Sequence, residues 1–138
     1  MKITDVEVFA LGYPIDDFPP RMRSFAILKI STDEGVCGWG EASDSYGHAN
    51  PLTVRALVEE TFRWRLLDQD PMEAPSLLSE IRKRMYVTLG QHGLPAQTLS
   101  AIDIALWDIR GKVEGKSIAA MLGARRREVH LYAAGKPE

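Results

Sequence analysis

The chain has 138 residues, 45% of them apolar and 26% charged, which suits one ordinary domain with a buried core. Its net charge is −2 and no basic cluster is larger than Arg125–Arg127, so no nucleic-acid-binding surface is indicated. No apolar run approaches the ~20 residues that span a bilayer, and the single cysteine, Cys37, has no partner for an internal disulfide, which fits a reducing cytoplasm.

The opening segment Lys2–Leu11 is rich in Val, Ile and Phe and reads as a first strand; Asp5 and Glu7 fall inside what a signal peptide would keep apolar. Tyr13–Arg23 holds Pro14, Pro19 and Pro20 with Asp16 and Asp17, a density that reads as a loop. Ser24–Thr32 is a second strand, with Ala26, Leu28 and Ile30 on one apolar face. Asp33-Glu34-Gly35 is a hairpin turn. Val36–Ala42 is a third strand. Its small residues Gly38, Gly40 and Ala42 share one face, with Cys37, Trp39 and Glu41 on the other. Glycines inside a strand mark the close approach of another backbone.

From residue 50 the apolar period becomes helical. Asn50 is a candidate N-cap with Pro51 at the first helical position, and Val54, Leu57, Val58, Thr61, Phe62 and Trp64 share a face. Asp70-Pro71 is expected to stop this helix. The next is expected to begin at Pro75, because a following proline disfavours the α conformation at Ala74. Leu77, Leu78, Ile81, Met85 and Leu89 line its buried side. Gly90–Gly93 is a turn, Pro95 opens a third helix and Gly115 ends it. At about 100° per residue, Leu99, Ile102, Leu106, Ile109 and Val113 fill one face of that helix. Trp107 and Ile104 widen that face on one side and Ala101 and Ala105 on the other. Such a helix needs cover on most sides, leaving a thin polar edge with Asp108 and Lys112 four residues apart. Ser117 caps a short helix that ends at Leu122–Gly123, and Val129–Ala134 turns strand-like again. The expected architecture is α+β: a three-stranded antiparallel meander followed by a bundle of three long helices and one short helix.

The phrases Gly38-Trp39-Gly40-Glu41-Ala42, Asp70-Pro71 and Ala105–Lys112 (ALWDIRGK), in this order, resemble the N-terminal capping domain of enolase-superfamily enzymes of the mandelate racemase and muconate lactonizing type. The likeness covers essentially the whole chain. One departure is the turn before Asp70-Pro71, where relatives often carry a glycine and this chain has Leu67-Asp68-Gln69. The resemblance implies a capping, substrate-specificity domain over 1–123, then a linker and the first strand of a (β/α) barrel over 124–138. The rest of the barrel is expected to lie outside this chain. It also implies a lyase or isomerase that removes the proton α to a carboxylate with the help of Mg²⁺: an acid-sugar dehydratase, a racemase or epimerase, or a cycloisomerase. The metal ligands and the catalytic base would belong to the barrel, so no catalytic and no metal-binding residue is assigned here, and the 138 residues alone are expected to be inactive. Implied partners are a small-molecule carboxylate substrate, the barrel and further copies in a homo-oligomer, with no nucleic acid and no membrane.

In that family two capping-domain loops close over the barrel mouth. By position they are Tyr13–Arg23, with Arg21 and Arg23 able to pair with a carboxylate, and Ser43–Asn50, with Tyr46 and His48 able to hydrogen-bond hydroxyls. Each of these four substrate-binding candidates has simple solvent exposure as its alternative. Other charged residues read as structural. Asp103 and Arg110, one heptad apart, suggest a buried pair; Asp108 suggests a bond to backbone or to a basic partner. Glu41 reads as structural, and His92, His130 and Cys37 stand isolated. A competing reading of the whole chain is a stand-alone, non-catalytic α+β interaction module.

Overall fold

The computed structural model describes residues 1–14, 22–43, 49–124, 128, 130 and 131. Three strands, β1 (Ile3–Pro14), β2 (Met22–Thr32) and β3 (Cys37–Ala42), form an antiparallel sheet in the order β1-β2-β3. The β1–β2 hairpin is longer than its sequence suggests, with pairing continuing through Tyr13↔Arg23 to Pro14↔Met22. A proline fits there because Val6 N–H and Val8 C=O point to the open edge of the sheet. Even-numbered residues of β1 therefore face away from β2, and Pro14 lacks only a donor that the ladder does not use.

Helix α1 spans residues 51–66. It is α-helical over Pro51–Leu57, forms a π-helical turn over Val58–Phe62 and is α-helical again over Arg63–Leu66. Its buried residues are Val54, Val58, Phe62 and Leu66, spaced by four throughout. A 3.6-residue period would rotate such a stripe off the core; the wider π turn brings it back. Trp64, expected on the buried side, is consequently 59% exposed, with the Arg65 guanidinium 3.9 Å from its ring centre. Asn50 is also not a side-chain cap. It adopts a left-handed conformation (φ 44°), and its carbonyl accepts from Thr53 N and Val54 N.

The chain leaves α1 at Leu67-Asp68, before Asp70-Pro71. Asp68 has φ 64°, a left-handed conformation that Asp tolerates better than most side chains. This turn also hydrogen-bonds to β1: Ile3 N donates to Gln69 O and Asp68 N donates to Ile3 O, both at 2.9 Å. Asp70 opens the next element. Its carboxylate accepts from Met72 N at the start of a 3₁₀ turn, Pro71–Glu73, that runs into α2 (Ala74–Thr88). Ala74 is α-helical despite the following proline, because the capped turn already sets the helical direction and Pro75 falls where no intrahelical N–H bond is needed. Leu78, Ile81 and Met85 are its buried residues, flanked by half-buried Leu77 and Leu89. Helix α3 (Leu94–Glu114) follows and stops at left-handed Gly115; α4 (Ile118–Met121) is capped by Ser117 Oγ accepting from Ala120 N.

The sheet's inner face and one side of α3 make the centre of the core. Ala26, Leu28 and Ile30 of β2 are fully buried with Ala101, Ile102, Ala105, Leu106 and Ile109 of α3. Gly38 and Gly40 permit this packing. A Cβ on Gly38 would collide with the Ala105 carbonyl oxygen, and one on Gly40 with that of Ala101. Helix and strand backbones therefore touch directly, as the strand glycines predicted. The far side of α3 is more open than its composition suggests: Ile104 and Val113 are exposed and Trp107 is half-buried. Of the predicted closing strand Val129–Ala134, His130 and Leu131 are described and lie outside any strand; its other residues and Arg125–Arg127 lie outside the described residues.

Candidate functional site

The two segments singled out as loops leave the sheet at the same end. Segment 15–21 connects Pro14 to Met22, the last pair of the β1–β2 ladder. Segment 44–48 follows Ala42, which pairs with Ala26 four residues further along β2. It returns at Ala49, a buried residue whose N–H donates to Ser24 Oγ at 3.2 Å. Ser24 belongs to β2, opposite Gly12, so one hydrogen bond fixes the return of the second segment to the root of the first. Of the four substrate-binding candidates, Arg23 is described. It sits exposed at this end of the sheet, paired across the ladder with Tyr13, whose ring stacks on Phe25 at 6.0 Å. Arg21, Tyr46 and His48 lie outside the described residues.

The base beneath these segments is held along both open edges of the sheet. On the β3 edge, Trp39 N–H donates to Asp108 Oδ2 at 2.9 Å, and Lys112 Nζ donates to both Cys37 O (2.8 Å) and Asp108 Oδ2 (2.6 Å). The polar edge of α3 thus takes the place of a fourth strand, the structural role expected of Asp108. On the β1 edge, Arg55 Nε donates to Val8 O at 3.1 Å. Arg63 donates to Asp5 Oδ1 at 2.8 Å while the same oxygen accepts from Val6 N. The Arg63 guanidinium holds the Asp5 carboxyl below the usual carboxylate range. Unpaired edge groups invite foreign strands, and both edges carry such protection.

A concave region lies between α2 and α3. It is a cleft of about 310 Å³ lined by Leu78, Arg82, Asp103, Leu106, Trp107 and Arg110, with a smaller extension past His92 and Ser100. Asp103 and Arg110 both reach this cleft but do not pair as expected. Arg110 Nε donates to Glu114 Oε1 at 2.7 Å, because the i,i+4 partner on its own helix is nearer than one seven residues back. Arg110 and Lys116 together depress the Glu114 carboxyl. His92 is exposed, and Glu41 projects from the exposed face of β3. Among the described residues no three His, Cys, Asp or Glu side chains converge on a point that a metal could occupy, so these residues do not provide a donor set for Mg²⁺. Nor is there a helix among them long and apolar enough to cross a membrane.

A three-stranded antiparallel meander followed by helices that pack on one of its faces defines an α+β domain. Residues 20–123 match the family described as mandelate racemase / muconate lactonizing enzyme, N-terminal domain, and the chain belongs to that family. It is 37% identical to D-galactarolactone cycloisomerase of Agrobacterium fabrum (strain C58) across 98% of this chain and 36% of that protein. It is 38% identical to D-galactonate dehydratase of Ralstonia pickettii (strain 12J) across 93% of this chain and 29% of that one. Among solved structures it resembles a mandelate racemase/muconate lactonizing protein from Paracoccus denitrificans PD1222 complexed with magnesium. That likeness has a TM-score of 0.70 and 34% identity, and covers 88% of this chain and 30% of the other. The chain thus spans about a third of the length of the curated relatives it matches.

Proposed function

We propose that this chain is the capping, substrate-selecting domain of a Mg²⁺-dependent enzyme that removes the proton α to a carboxylate, acting on a sugar acid or its lactone by dehydration, cycloisomerisation or epimerisation. The observation that carries this reading is the common root of segments 15–21 and 44–48 at one end of an edge-protected sheet. Two polar segments there can close over a substrate while the base stays fixed. The relatives' names, a galactarolactone cycloisomerase and a galactonate dehydratase, support the substrate class. A barrel beyond these residues would supply base and metal ligands. When bound there, Mg²⁺ neutralises the negative charge that builds on the carboxylate as the proton leaves. This chain's share would be to recognise the distal hydroxyls and carboxylate through Arg21, Arg23, Tyr46 and His48, and to exclude water.

The test uses the enzyme that carries this domain. Replacing Arg21, Tyr46 or His48 with Ala is expected to raise KM or reorder a panel of acid substrates. Exchange of the α-proton into deuterated solvent at saturating substrate should persist, since uniform binding lost at a distal group appears in KM. If His48→Ala abolishes exchange while substrate still binds, His48 belongs to the chemistry and the proposed division of labour fails.

A further inference from the structure

The cleft between α2 and α3 carries two opposite charges that the fold leaves unmatched. On α2, Pro75, Leu78 and Arg82 recur at three- and four-residue spacing and line one wall. On α3, Asp103, Trp107 and Arg110 do the same and line the other. Arg110 is engaged by Glu114. Arg82 and Asp103 line both lobes of the cleft, one of about 310 Å³ and one of about 250 Å³, and so stand where the two lobes meet. Among the described residues neither side chain makes a hydrogen bond or an ion pair, with the other or with any third group. Asp103 is half-buried, so its carboxylate gives up part of its hydration without a partner in return. The larger lobe continues past them along Leu78, Leu106 and the half-buried ring of Trp107.

We propose that this cleft is a binding site for a free α-amino acid with a large apolar side chain. An ammonium and a carboxylate on one carbon match the two unmatched charges. The ammonium donates to the Asp103 carboxylate, and the Arg82 guanidinium donates to the ligand's carboxylate. The ligand's side chain then lies along Leu78, Leu106 and the face of the Trp107 ring. That wall suits leucine, and phenylalanine more, because ring stacking adds to apolar burial. Charge complementarity selects against simpler ligands. A plain anion answers Arg82 but is repelled by Asp103, and a plain cation meets the reverse. The two side chains sum to zero charge, as a zwitterion does. The size agrees, since small-molecule sites begin at about 300 Å³. The cleft is open and such a ligand has only about a dozen heavy atoms, so the dissociation constant should be on the order of 1 mM.

The inference is independent of the catalytic reading: the cleft uses none of the four substrate-binding candidates, and its test reads binding, not turnover. In the isotope-labelled chain, the indole N–H resonance of Trp107, assigned through Trp107→Phe, reports on the cleft, while Trp39 and Trp64 serve as references outside it. Titration with L-phenylalanine to about 20 mM should shift the Trp107 resonance saturably and leave the other two in place. Arg82→Gln and Asp103→Asn should each weaken binding at least tenfold. N-acetylphenylalanine and phenylalanine amide, each lacking one of the two charges, should bind the parent chain at least tenfold more weakly than phenylalanine. Lys83→Gln, exposed on α2 outside the cleft, should leave binding unchanged. Far-UV circular dichroism verifies the fold of each variant; if one fails to fold, the variant on the other helix and the two blocked ligands decide. The proposal is overturned if no saturable shift of Trp107 appears by about 20 mM, or if folded charge variants bind like the parent. It is also overturned if N-acetylphenylalanine binds as tightly as phenylalanine, which makes the site a carboxylate site. The same holds if a hydroxy acid such as gluconate binds more tightly, because the cleft then selects hydroxyls.

Discussion

Gly40→Ala tests the contact that seats α3 on the sheet. The added methyl group would run into the Ala101 carbonyl oxygen, with the Ala101 carbonyl carbon at 2.9 Å and Ala105 N at 3.2 Å. All three are backbone atoms of a helix, so no rotamer change relieves the clash. Ordinary carbon contacts lie at about 3.5–4.0 Å, so the helix must retreat by roughly 1 Å. A gap of that size forfeits between about a quarter and a half of the attraction between Ala101, Ile102 and Ala105 and the sheet. The expected loss is about 3 kcal/mol, the upper end for overpacking. Gly35→Ala supplies the contrast. Gly35 has φ 78°, but a methyl group there would meet no atom within 4 Å, so only backbone strain of about 1 kcal/mol is expected. Urea unfolding followed by circular dichroism resolves the difference of about 2 kcal/mol between the two variants. If Gly40→Ala costs no more than Gly35→Ala, the sheet and helix can separate freely, and the direct backbone contact does not organise the core.

Three further outcomes follow from the edge and surface contacts. Asp108→Ala strips the acceptor from Trp39 N–H and the partner from Lys112 and should cost about 1 kcal/mol, whereas Asp108→Asn, which keeps an acceptor, should cost less in the same unfolding assay. Asp5 has a depressed pKa, so its contribution is fully present above the unfolded value of about 3.9 and is lost as pH falls through the folded value. The stability difference between the parent chain and Asp5→Asn should hold steady from pH 7 to about 5 and shrink below about pH 4; a difference that grows with acid would reverse the assignment. Trp107→Ala should cost about 2 kcal/mol, less than a fully buried tryptophan, because the ring lies half-buried along the α2–α3 cleft with the Arg110 guanidinium 5.7 Å from its centre.

Features governed by periodicity can be read from the sequence. The three strands, the apolar face of β2 and the glycine face of β3 were legible because a period of two and the absence of a Cβ leave little choice. Boundaries that depend on a partner far along the chain were not. The β1–β2 ladder continues to Pro14 because the proline faces an open edge, which local propensity does not reveal. The stripe Val54, Val58, Phe62, Leu66 required a π turn, so reading at 3.6 residues per turn buried Trp64 by mistake. Arg110 chose Glu114 over Asp103, a choice that the i,i+4 rule could have supplied. Of the candidate site, the sequence marked the two segments, while Arg21, Tyr46 and His48 lie outside the described residues. It did not show that Ser24 and Ala49 tie their roots together, a bond between residues 25 apart with no motif to announce it.

That tie governs how such a domain diversifies. Each segment is strung between fixed posts, Pro14 and Met22 for one and buried Ala42 and Ala49 for the other. With the posts fixed, doubling a segment's length adds only about 0.6 kcal/mol of closure entropy. The domain can therefore accept segments of new length and chemistry as exchangeable cartridges without any repair of the core.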